Sequence, residues 1–291
     1  MASLRARLLF NRVMPWLKMK QRYAPPLDAA TLLARRRKAC SPPRAATQRA
    51  FRGRPVSRLG HGAEPTMLYL HGGAFVNPIT RHHWRLITQL VRDTGGTCDV
   101  PLYPLAPEQT LDDMLTFTSA FWRDHTWPQP PVIVADSAGT LLALRLAQSL
   151  RDAGAPQPAA LVLISPCLDL TFSDPRSKER DAVDPMLALA GLPQVGRIVA
   201  GPRALDDPAI NPLLCGLNDL PPMLVFSAGR DVLWPDAVRL VEGVRAAGGT
   251  VEQVDAPEMV HVWPLMPIPE AADARARIAD FVRKTVNRPF T

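Results

Sequence analysis

The stretch Val132-Ile133-Val134-Ala135-Asp136-Ser137-Ala138-Gly139-Thr140-Leu141-Leu142-Ala143-Leu144 decides the fold. An apolar run rich in β-branched residues ends in a turn of small residues, and leucines at helical spacing follow. Strand, tight turn and helix with a serine at the apex is the context of the G-x-S-x-G motif. Such a turn holds Ser137 in a strained backbone conformation and lifts its hydroxyl above the sheet. The start of the next helix then aims backbone N–H groups at any oxyanion formed there. The motif departs by one methyl, because Ala135 stands where the first glycine is usual. Read alone, the segment also fits an ordinary strand-to-helix turn with an incidental serine.

Outward from this turn, apolar strands and amphipathic helices alternate. Strands are expected at 66–70, 97–103, 131–135, 160–165, 222–228 and 250–254, and helices at 80–93, 109–124, 137–153, 235–247 and 270–286. Fully apolar strands at this spacing predict a mostly parallel central sheet with helices on both faces, an α/β fold. Residues 171–212, rich in Asp, Pro and Arg, break the rhythm and read as an insertion with one helix near 185–200. Residues 41–65 leave room for one short strand or hairpin.

Residues 1–50 read as two helical pieces, 3–20 and 28–39, broken at Ala24-Pro25-Pro26. On a 3.6-residue period Leu4, Leu8, Leu9, Val13, Trp16 and Leu17 form one stripe, expected to pack on the protein itself. Docking on a membrane surface is the alternative.

At 291 residues and 47% hydrophobic content the chain can bury a large core. No apolar stretch approaches the roughly 20 residues of a membrane span. The N-terminus lacks a signal-peptide h-region, and Cys40, Cys98, Cys167 and Cys215 show no metal-ligand spacing. A cytoplasmic protein with free thiols and no metal is therefore expected. The net charge of +7 is uneven: residues 1–54 hold 14 Lys or Arg against Asp28 alone, giving +13, and the other 20 basic and 26 acidic residues give −6. A solvated helical face explains this excess, with attraction to an anionic membrane or substrate as the alternative. No nucleic-acid motif accompanies it.

Reactive groups of a parallel α/β sheet collect at the carboxyl ends of its strands. Those ends carry His71-Gly72-Gly73, Ser137, Asp231 and His261. A nucleophilic serine needs a base, and the base needs a carboxylate to fix its tautomer. Among six histidines, His82 and His83 lie on an expected helix, His125 at a helix end and His61 in a polar loop. His261 follows the final strand, where a base belongs. Asp231 follows the strand before, giving the order Ser, Asp, His, with Asp255 in reserve. His71-Gly72-Gly73-Ala74 lets the backbone approach a substrate with its N–H groups turned inward.

Together, His71-Gly-Gly-Ala-Phe75, Tyr103-Pro-Leu-Ala-Pro-Glu108, Asp136-Ser137-Ala138-Gly139, Asp231-Val232-Leu233 and His261-Val262 resemble the signature blocks of the hormone-sensitive-lipase-like esterases of the α/β-hydrolase superfamily. The resemblance runs from about residue 66 to the end. It implies a serine carboxylesterase for small acyl esters, acting through an acyl-enzyme with no cofactor. Ser137 would be the nucleophile, His261 the base, Asp231 its partner, and the N–H groups of Gly73, Ala74 and Ala138 the oxyanion hole, with His71 and Gly72 supporting that loop. It also implies a helical cap built from the N-terminal helices and the insertion, and leaves a homodimer open. Ala135 and Ala74 depart from the usual glycines, and the segment before Thr66 is short for two opening strands. An amide or peptide hydrolase on the same fold, or a non-catalytic binder on a hydrolase scaffold, are the alternative readings.

Overall fold

The computed structural model describes residues 2–62 and 64–286. Eight strands form one sheet: β1 (Thr47–Phe51), β2 (Arg54–Leu59), β3 (Thr66–Leu70), β4 (Thr97–Pro101), β5 (Val132–Asp136), β6 (Ala160–Ile164), β7 (Met223–Arg230) and β8 (Val251–Val260). Their order is β1-β2-β4-β3-β5-β6-β7-β8. β1 pairs antiparallel with β2, and β2 with β4, while every other pairing is parallel.

Both opening strands are thus present in the short segment. They fit because only Arg52 and Gly53 separate them, with φ of 48° and 74°, the two left-handed residues that a tight hairpin matched to strand twist requires. β1 starts at Thr47, inside the 1–50 span read as helical. β8 runs ten residues to Val260, well past the expected 254, because an irregularity between Ala228 and Arg230 of β7 lets pairing resume.

Side chains alternate between two cores. Leu68, Leu70, Ile133, Ala135, Leu161 and Leu163 face helices Leu111–Asp124, Gly139–Asp152 and Trp234–Ala246. Met67, Tyr69, Val132, Val134, Val162 and Ile164 face Arg81–Thr94, Pro269–Val286 and the N-terminal helix. Burial on both faces explains why these strands read as unbroken apolar runs. The chain reverses its direction of winding at β3, between β4 and β5, so the carboxyl ends of β3 and β5 are where a sheet of this kind places its ligand site.

Between β6 and β7 the chain leaves the sheet and forms two helices, Arg176–Asp181 and Leu192–Ala200, where one near 185–200 was expected. Asp184-Pro185 prevents one continuous helix, and Pro193 starts the second near its first turn.

The N-terminal stripe is a correction. Ala2, Ala6, Phe10 and Met14 are the buried residues, whereas Leu4, Leu8, Trp16 and Leu17 are exposed and Leu9 and Val13 half-buried. Leu4 and Leu8 already point outward ahead of the π-helix Leu9–Val13, because the small Ala2 and Ala6 make the close contact with the core, and Phe10 and Met14 continue that packed side while Trp16 continues the exposed one.

Gly139 shows how tightly the turn is packed. A Cβ there would lie 2.1 Å from the carbonyl oxygen of Leu70 and 2.9 Å from that of His71. Gly139→Ala must push the helix off the end of β3, a backbone displacement costing about 1–3 kcal/mol or more. Urea denaturation should register this as a lower midpoint at unchanged slope.

Candidate active site

The structure brings Ser137, His261 and Asp231 together from three strand ends. Ser137 follows β5 with φ 49°, a left-handed conformation that a serine adopts only when its surroundings impose it. They do: its N–H donates to the carbonyl of Ile164 at 2.8 Å, and its own carbonyl accepts from the N–H of Thr140 at 3.0 Å. Ala135 is fully buried in the core, so the extra methyl of the elbow is absorbed there.

His261 Nε2 lies 2.9 Å from Ser137 Oγ, and Nδ1 lies 2.8 Å from Asp231 Oδ2. With Nδ1–H donating to the carboxylate, Nε2 is left to accept the serine proton. The reserve candidate is occupied elsewhere: Asp255 Oδ1 accepts from Ser227 Oγ at 2.6 Å and Trp234 Nε1 at 3.0 Å. Burial opposes charge on His261, but the Asp231 carboxylate and its hydrogen bond, helped by Asp184 and Asp136, outweigh it and hold the pKa above the ordinary 6.5. The Val262 N–H donates to Ser165 Oγ at 2.9 Å, fixing the chain just past His261.

The His71–Phe75 loop folds over the turn. Gly73 has φ 128°, Ala74 56° and Phe75 61°, so Ala74 takes up a conformation that its methyl disfavours. Among the described residues, the N–H groups of Gly73, Ala74 and Ala138 have no protein acceptor. Gly72 cannot change, because a Cβ would meet Asp136 Oδ2 at 2.3 Å. His71 stacks on Tyr103 with ring centroids 4.5 Å apart, and its Nδ1 donates to the Gly72 carbonyl at 2.7 Å. Burial and the neighbouring His83 push His71 down to about 4, so it is neutral at physiological pH.

Two carboxylates were not given roles by the sequence. Asp136, beside the serine, accepts from Tyr69 Oη at 2.7 Å, the Gly72 N–H at 3.0 Å and His83 Nε2 at 3.3 Å. Burial raises its pKa, yet His83 and the three donors together hold it below the usual carboxylate value. His83 accepts the Thr80 N–H on Nδ1, which leaves Nε2 protonated towards Asp136. Asp184, in the insertion, accepts the Val232 N–H at 3.0 Å beside Asp231, and burial with the Asp231 charge raises it to about 6.

Around Asp184 the insertion grips the Asp231 loop. Arg180 Nη1 donates to the Gly229 carbonyl at 3.1 Å, Ser177 Oγ to the Val232 carbonyl at 2.9 Å, and Arg230 Nε to the Val183 carbonyl at 3.2 Å.

A sequence model of the alpha/beta hydrolase fold matches residues 67–265, more than half of the chain and all three residues of the Ser-His-Asp cluster. The chain belongs to the alpha/beta hydrolase fold family. This hydrolase is 33% identical over 206 residues to an acetyl-hydrolase of Streptomyces hygroscopicus, covering 68% of each chain. It is 34% identical over 212 residues to a triacylglycerol lipase of Mycobacterium tuberculosis, covering 70% of this chain and only 44% of that one. Its structure superposes on an esterase of the bacterial hormone-sensitive lipase family with a TM-score of 0.83 and 26% identity, covering 99% of this chain and 100% of the other. It is a hormone-sensitive-lipase-like hydrolase.

The electrostatics can be read directly. Imidazole titration followed by NMR should give His261 a midpoint above 6.5 and His71 one near 4. A His261 midpoint below 6.5 would mean that burial outweighs the carboxylates.

Proposed function

We propose that this hydrolase is a serine carboxylesterase acting on small acyl esters. One observation carries the reading. A buried Ser–His–Asp relay, 2.9 and 2.8 Å at its two links, sits beside three backbone N–H groups without protein acceptors.

Ser137 Oγ attacks the ester carbonyl carbon as its proton passes to His261 Nε2. The carbonyl oxygen becomes an oxyanion and takes hydrogen bonds from the N–H groups of Gly73, Ala74 and Ala138. As the intermediate collapses, the C–O bond to the alcohol breaks and His261 returns the proton to the leaving alkoxide. Water then attacks the acyl-enzyme, giving its proton to His261. Collapse of the second intermediate releases the acid and restores Ser137. Throughout, Asp231 holds the imidazole in the tautomer that works and stabilises its charged form. No step calls for a metal or an organic cofactor.

The cap expected from the sequence belongs to the same reading. Lys20 pairs with Asp181 at 2.9 Å, the Leu27 N–H donates to Gln194 Oε1 at 2.7 Å, and Gly191 packs so closely on the Tyr23 carbonyl that no Cβ would fit. These contacts join the N-terminal segment to the insertion, and we infer that the joined piece controls the approach to Ser137, itself only 8% exposed. Cytoplasmic residence, and pairing of copies along the outer strand β8, complete the proposal; sedimentation velocity tests the pairing.

Two outcomes are expected. Ser137→Ala should keep its circular dichroism spectrum and lose p-nitrophenyl butyrate hydrolysis by about a thousandfold or more; undiminished turnover would exclude a serine nucleophile. The pH profile of kcat/KM should show an acid limb. Only neutral His261 accepts the serine proton, so a raised pKa keeps the inactive protonated form populated to higher pH. The limb's midpoint should therefore lie above 6.5.

A further inference from the structure

The N-terminal helix presents two straight stripes facing opposite ways. Leu4–Leu8 is α-helical, Leu9–Val13 is a π-helix, and Met14–Trp16 is α-helical again. In an α-helix residues four apart drift by about 40° around the axis, and the wider π turn reverses that drift. Residues spaced by four therefore stay in line across the whole element. The inward line is Ala2, Ala6, Phe10 and Met14, exposed by 8%, 0%, 1% and 4%. It joins the core that holds Trp263 and Leu265, directly after His261.

The opposite line is Leu4, Leu8, Arg12 and Trp16. Leu4 is 76% exposed, Leu8 58% and Trp16 79%, and Leu17 adds to the patch at 49%. Arg5, Arg7, Arg12 and Lys18 are exposed around it. Among the described residues none of these four cations forms an ion pair, unlike Lys20 and Arg36, which are held by Asp181 and Glu108. The chain has no acid before Asp28. The carboxylates beside the helix, Glu258 and Glu270, are taken by the N–H groups of Ala2 and Ser3.

We propose that this face docks in the plane of an anionic lipid bilayer, with Leu4, Leu8 and Trp16 entering the interface while the arginines and Lys18 engage lipid phosphates. An apolar line flanked by cations, with a tryptophan at one end, has the chemistry of an interfacial helix. No described helix is long and apolar enough to cross a membrane, so the helix lies on the surface and does not span it. A second copy is the poorer occupant, because a self-paired patch would set the four cations of each copy against the same four of the other. Beyond the helix, Tyr23 and Leu27 pack with the core that includes Phe75 of the His71–Phe75 loop. Docking would thus bring the bilayer to the segment proposed as part of the cap. The proposal stands on the helix alone and does not depend on ester hydrolysis.

Vesicle cosedimentation tests it, using phosphatidylcholine alone and phosphatidylcholine mixed with phosphatidylglycerol. The full chain should bind the mixed vesicles at least about tenfold more tightly, with the difference falling as salt rises. The double variant Leu8→Glu, Trp16→Glu should lose that binding while keeping its circular dichroism spectrum and its p-nitrophenyl butyrate rate. A triple variant, Arg5→Glu, Arg7→Glu, Arg12→Glu, should lose the preference for the anionic vesicles. No binding, equal binding to both vesicles, or unchanged binding by the double variant would overturn the proposal. So would a wild-type dimer that the double variant dissolves, since the face would then belong to a second copy.

Discussion

The site depends on one buried carboxylate. Asp136 sits where β5 ends, 2% exposed, and receives three donors from three elements: Tyr69 from β3, Gly72 from the following loop and His83 from the helix Arg81–Thr94. A carboxylate this deep is tolerable only with its oxygens satisfied. Those hydrogen bonds fix the separation between the serine turn and the His71–Phe75 loop. Ser137 and the N–H groups proposed as oxyanion donors come from distant parts of the chain, and Asp136 bridges the two segments. Gly72 and Gly139 are the space this closeness demands, since a Cβ at either would strike an atom of the opposing segment.

A second constraint comes from the insertion. Asp184 and the side chains of Ser177 and Arg180 hold both sides of Asp231, so the residue that orients His261 is itself positioned by chain outside the sheet. The Asp184 carboxyl also stands among the charges that hold His261 above its ordinary pKa. On the proposed reading, the same segment bears on both substrate access and histidine basicity. The N-terminal segment, locked to that insertion at Lys20, Leu27 and Gly191, extends the link to the exposed face of the first helix.

The sheet's parallel core was legible because its strands are buried on both faces and read as continuous apolar runs. The clustering of Ser137, Asp231 and His261 was legible because such groups sit at the strand ends of a parallel sheet, and only His261 followed the last strand. Other features were hidden for physical reasons. Residues 41–65 left room for a hairpin, but β1 is exposed and carries no apolar signal, so only the Arg52-Gly53 turn marks where its strands lie. His83 looked like any helical histidine, because its partner Asp136 lies 53 residues away in sequence. The first helix misled because its larger apolar residues lie on the outer face, while the small Ala2 and Ala6, with Phe10 and Met14, make the packed one. The extra methyls were visible, but their consequences were not: Ala135 vanishes into the core, whereas Ala74 carries a positive φ.

The central claim is that Ser137 is an activated nucleophile facing a working oxyanion hole. Incubating the protein with a fluorophosphonate and locating the adduct by peptide mass spectrometry tests both halves together, because phosphonylation needs a nucleophilic hydroxyl and stabilisation of the developing negative charge. The account predicts a single adduct on Ser137, formed faster as His261 is deprotonated. No adduct on folded protein, or an adduct on another residue, would contradict it.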